Sequence, residues 1–140
     1  MDFRGRSDAS SHYSRGEFPA RRAFMNGEDL FWVSGAHQSP VFIWHRFHGI
    51  HLVAKFGFSS RLFPQHFTQS PKSFHFVGST DCRDWTTILR VENAGFTEEN
   101  QSKTWIIPRP DRKAFRCFGL KLISTISSKY MGLMKISMWE

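Results

Sequence analysis

Residues 71–89, PKSFHFVGSTDCRDWTTIL, decide how the chain is read. An apolar run, with Phe74 and Phe76 two apart, meets the polar turn Gly78-Ser79-Thr80-Asp81 and resumes at Trp85. Alternation with a period of two marks a strand with one face buried. The turn itself admits three readings: a catalytic loop, a ligand loop, or a connection between strands.

The same pattern recurs along the chain. PVFIWHRF (40–47), IHLVAKFGFSS (50–60), SFHFVGS (73–79), TTILRVE (86–92), KTWIIP (103–108), FRCFGLKLIST (115–125) and GLMKISMW (132–139) are short and rich in aromatic and β-branched residues. Turn residues bound them: His48-Gly49, Gly78-Ser79, Asn93-Ala94-Gly95 and Pro108 to Asp111. No window of the ~11 or more residues needed for a convincing helix has apolar positions at helical spacing. About eight strands with turns at such intervals predict an all-β fold, an antiparallel β-sandwich or barrel. In FGLKLI the alternation puts Phe118, Leu120 and Leu122 on one face and Gly119 and Lys121 on the other. The first 35 residues differ: they are polar and turn-rich, with at most a helical turn near Ala20–Phe24. They predict irregular chain laid across one end of the sandwich.

Composition fits this reading. The 140 residues, 40% of them hydrophobic, suit one domain, and such a chain buries roughly 70% of its unfolded surface. Fifteen Phe and 5 Trp suit a thick core between two sheets. Nineteen Lys and Arg against 12 Asp and Glu give a net charge of +7, which favours acidic partners. These basic residues are scattered and form no block of like charge. No run of ~18 apolar residues appears, so no helical membrane span is predicted. The opening residues MDFRGRSDASSHYSRGEF lack the apolar region of a secretory signal. The expected location is therefore cytoplasmic, or extracellular if the sequence is a piece of a longer chain. Cys82 and Cys117 can bridge only if their strands are neighbours. Cys117 sits in an apolar run, as core cysteines do, and two free thiols are expected.

The pieces, taken in order, resemble the discoidin family, the coagulation factor V/VIII type C domains of the galactose-binding-like fold. Ala9-Ser10-Ser11, Pro19, the turn Ala23 to Gly27, Trp32 and Ser34 fit its opening. FIWHRF and FGFSSR fit two of its strands, and FRCFGL and ISMWE fit its close. Pro71, Lys72, Ser73, Phe74, Gly78, Ser79, Asp81, Trp85 and Leu89 match its central motif, in wording closer to intracellular branches. The match runs from Ala9 to Glu140, so 9–140 is expected as one discoidin-like jelly-roll domain and 1–8 as a flexible lead-in. One departure is Gly119, where the family's closing strand carries Arg; another is Leu30, where the family has a hydroxyl. The resemblance makes the turn at 78–81 a structural connection, with Asp81 bonding the amides ahead of it and Trp85 folded over the core edge.

Catalytic and metal signatures are weak. His45, His48 and His51 are three apart, a spacing that alternates faces on a strand. No Cys-x-x-Cys, His-Glu-x-x-His, Gly-x-Ser-x-Gly or phosphate-binding Gly-rich loop is present, so an enzyme is not expected. The resemblance places a calcium position at MNGEDLFW, where Asn26, Asp29 and Glu140 could supply oxygen ligands; the alternative reading is a polar turn that orders the loop without metal. It places the ligand rim on loops 11–18, 34–40 and 59–71, which carry His12, Tyr13, Arg15, His37, Gln38, Arg61, Leu62, Phe63, Gln65, His66 and Phe67. That mix suits docking of a protein, an acidic one given the net charge, which is the first expectation. A carbohydrate, with a structural calcium, is the alternative, and an anionic lipid surface the third. Nucleic acid is not expected, because no RNP-type strand or basic helix accompanies the charge.

Overall fold

A computed structural model of the chain describes residues 5–11, 13, 19–25, 30–36, 39–62 and 66–140. Among these, nine strands form two antiparallel sheets: β1 (Gly5–Ala9), β2 (Phe31–Val33), β3 (Val41–Leu52), β4 (Lys55–Ser59), β5 (Pro71–Ser79), β6 (Thr86–Val91), β7 (Ser102–Ile106), β8 (Ala114–Thr125) and β9 (Gly132–Trp139). The first sheet runs β1-β3-β8-β5-β6 and the second β2-β9-β4-β7. The all-β sandwich expected from the sequence is the fold found.

The inner faces follow the sequence alternation. Phe74 and Phe76 of β5 and Phe118, Leu120 and Leu122 of β8 are fully buried. Across the gap stand Phe56 and Phe58 of β4 and Trp105 of β7. Four rings form a column through the sandwich. Phe118 stacks on Phe76 at 5.9 Å, Phe76 on Phe56 at 4.1 Å and 5° between planes, and Phe56 on Trp105 at 5.4 Å. Such pairs add about 0.5–1.5 kcal/mol each beyond the area they bury.

The turn at the end of β5 is a connection. The Asp81 carboxylate accepts the Arg83 and Asp84 amides at 2.9 Å each, and the Ser79 hydroxyl at 2.8 Å. These donors hold the Asp81 carboxyl down at about 2. The turn then curls back on the sheet, with Cys82 at a φ of 58°. Cys117 pairs with Ser79 in the ladder. Cys82 and Cys117 are joined in a disulfide, their Cα atoms 5.6 Å apart. This corrects the expectation of two free thiols: register across β5 and β8, invisible in local sequence, brings them together. Disulfides persist in oxidising compartments, so the cytoplasmic expectation loses its footing in free thiols.

Other differences are local. IHLVAKFGFSS is not one strand, since β3 continues to Leu52 and β4 begins at Lys55. Residues 5–8, expected to be a flexible lead-in, belong to β1, which pairs with β3 from Gly5 opposite Phe47 to Ala9 opposite Ile43. The helical turn at Ala20–Phe24 is present as a 3-10 turn, with β2 following it. Trp85 lies on the outer face of the first sheet, not at the core edge, against Phe42 at 5.9 Å and Trp44 at 5.6 Å. Gly119 makes room there: a Cβ on it would stand 2.7 Å from the Cβ of Trp44 and 2.1 Å from the Ile43 carbonyl.

Truncating the ring column should register directly. Phe76→Ala is expected to lower unfolding free energy by about 3–5 kcal/mol in urea titrations, as large-to-small aromatic core changes do. The Asp81 turn sets an acid limb. Its folded pKa lies below the ordinary 3.8, so its contribution is full above that value and is lost as pH falls towards about 2. In melting curves, the gap between the native chain and Asp81→Asn should narrow over that interval.

Candidate functional site

The register gathers one set of loops at one end of the sandwich. β2 ends at Val33 opposite Gly132, where β9 starts, and β5 starts at Pro71 opposite Thr125, where β8 ends. The connections after β2, β4 and β8 therefore share this end. Its foundation is the Ala9-Ser10-Ser11 segment. The Ser10 hydroxyl accepts the Phe42 amide at 2.9 Å, the Ser11 carbonyl accepts the buried Trp32 indole at 3.1 Å, and the Ser11 hydroxyl accepts the Gly35 amide at 2.8 Å. Ser34 completes the clamp, its hydroxyl accepting the Met131 amide at 2.9 Å.

A hollow of about 280 Å³ opens on this end, lined by Tyr13, Val33, Arg61, His66, Gln69 and Tyr130. Tyr13 and Tyr130 meet edge to face at 5.2 Å. Arg61 is a deeply set wall, only 7% exposed. Its guanidinium lies 3.7 Å from the centre of the Phe31 ring, and its Nη1 donates to Gln69 Oε1 at 2.9 Å. Gly132 leaves space for this pair, since a Cβ there would sit 2.5 Å from Gln69 Oε1. Burial, and then the nearby Arg61 charge, push the His66 imidazole below its ordinary value. At neutral pH the hollow thus offers a neutral imidazole, an amide, a cation and two phenol rings.

Of the residues the sequence assigns to the rim, Tyr13, Arg61 and His66 are brought together here, and Leu62 is half-buried beside them. His12, Arg15, His37, Gln38, Phe63 and Gln65 lie outside the described residues. Gln69 and Tyr130 were missed. Tyr130 had one signal: the chain holds only 2 Tyr, and both are here. For calcium, Asn26 and Asp29 lie outside the described residues. Glu140 is at the opposite end, where its Oε1 meets His51 Nδ1 at 2.9 Å. Among the described residues no three His, Cys, Asp or Glu side chains gather for a metal. His45 is a core histidine, 2.6 Å from the Ser7 hydroxyl and packed on Phe47. It also floors a larger hollow of about 390 Å³ beside β1, away from the rim.

No protein-family model matches the sequence, and no curated protein matches it. Solved structures do match the fold. The module CpGH89CBM32-5 from Clostridium perfringens, in complex with GalNAc-beta-1,3-galactose, superposes with a TM-score of 0.80 at 14% identity, over 96% of this chain and 94% of that one. The CBM32 of AlyQ, in complex with 4,5-unsaturated mannuronic acid, gives 0.78 at 13% identity, over 100% and 97%. Chitosan-binding module 2 of a chitosanase/glucanase from Paenibacillus sp. IK-5, in complex with chitotriose, gives 0.77 at 11% identity, over 97% and 96%. At such identities the likeness establishes the galactose-binding-like sandwich, and the discoidin resemblance holds at that level.

The environment of His66 is directly measurable. Its imidazole should titrate by NMR below the ordinary 6.5, and Arg61→Met should bring the midpoint part of the way back up. Protonation then opposes folding as pH falls below that value, because the unfolded chain binds the proton more readily.

Proposed function

We propose that the chain is a non-catalytic carbohydrate-binding module whose rim hollow receives a sugar. The observation that carries this reading is the pairing of Tyr13 and Tyr130 beside Gln69, His66 and Arg61 around one hollow. A ring wall seats the C–H face of a sugar, while a small number of fixed donors and acceptors select its hydroxyls. Three structures of the same fold, each solved with a sugar, support the reading. The acidic protein partner first expected from net charge finds no counterpart among those ligands. Calcium would be structural, with Asn26, Asp29 and Glu140 offering carboxylate and amide oxygens.

The test is a glycan array with the purified chain, with and without calcium, followed by calorimetry on the best binder. Binding should survive moderate salt, since the contacts are short-range. Tyr130→Ala should weaken it about five- to tenfold, in line with ~1 kcal/mol for a lost ring contact. Absence of any glycan binder, or a binder indifferent to Tyr130→Ala, would overturn the reading.

A further inference from the structure

The outer face of the first sheet carries a second surface, independent of the rim. Phe42, Trp44 and Arg46 alternate outward on β3, over a span of about 13 Å at ~3.3 Å per residue. Trp85 closes on Phe42 and Trp44, and all three rings remain partly exposed. Arg6 of β1 pairs with Arg46 across the ladder, and Arg116 joins both around a hollow of about 350 Å³ that also borders His48. The sole ion pair among the described residues is His51–Glu140, so these guanidiniums have no carboxylate partner there. On the other side of the rings, Lys121 lies 5.9 Å from the centre of Phe42. Asp8, cross-strand from Trp44, is the one acidic side chain on this stretch of β1. Burial, then Lys121 and Arg90, lower the imidazole of neighbouring His75 against an opposing Glu92, as expected on a positive surface.

We infer that this face binds an acidic oligosaccharide, its ring faces on Phe42, Trp44 and Trp85 and an acid group clamped by Arg6, Arg46 and Arg116. Guanidiniums match carboxylate and sulfate oxygens through paired hydrogen bonds. The disulfide that anchors this same face belongs to oxidising surroundings, where acidic polysaccharides are an accessible polyanion.

The experiment uses the whole chain and two probes, a galacturonate oligosaccharide and a sulfated one, in calorimetry at low and moderate salt. One probe or the other should bind, weakening as salt rises. Arg46 is exposed, so Arg46→Glu should leave the melting temperature unchanged while weakening that binding at least about tenfold, the loss of a charge-assisted contact. Trp44→Ala should weaken it too, whereas Tyr130→Ala should not, which separates this face from the rim. Failure of both probes to bind, affinity indifferent to Arg46→Glu, or tighter binding of a single-stranded oligonucleotide that Arg46→Glu abolishes would each overturn the assignment.

Discussion

The sandwich depends on one column of rings. Phe118 and Phe76 come from the first sheet, Phe56 and Trp105 from the second, and the contact at its centre is the 4.1 Å stack of Phe76 on Phe56. It joins two strands that follow one another in the chain but lie in opposite sheets, and it sets how deep the gap between sheets must be. Phe58 and Phe74, edge to face at 5.3 Å, pack beside it and extend the same layer towards the rim. With the layer fixed, strand ends meet in register, and the loops leaving them converge. The rim is thus a product of the core, positioned by rings that never touch it.

Much of this was legible because burial imposes a period. The alternation in FGLKLI placed Phe118, Leu120 and Leu122 inside, and all three are fully buried. Asp81 was legible for a different reason: a short carboxylate followed by two amides is a local arrangement that needs no distant partner. The short strands escaped. β1 sits at a sheet edge and pairs on one side only, and β2 has three residues, too few to show any period. Trp85 escaped because it lies in the connection ahead of β6, where no alternation assigns it a face.

The site was less legible than the fold. Arg61 and His66 stood out as polar residues on a long loop, yet the placing of Arg61 comes from Phe31 and Gln69, which no local pattern links to it. Tyr130 lies on a connection without periodicity, and only tertiary structure brings it to Tyr13. The cysteines show the same limit, since their bond reflects a ladder register that a sequence separation of 35 does not announce. Local rules reveal what a residue is suited to, and long-range pairing decides what it meets.

Gly119 carries a consequence for how closely β3 and β8 can lie. The resembling family places Arg at this point of its closing strand; here any side chain would drive its Cβ to 2.1 Å from the Ile43 carbonyl and 2.7 Å from the Cα and Cβ of Trp44. Those are atoms of the neighbouring strand itself, present whatever larger side chain stands at 44. The glycine therefore answers to the spacing of the two strands and not to the indole, and a cation at 119 would require the strands to part.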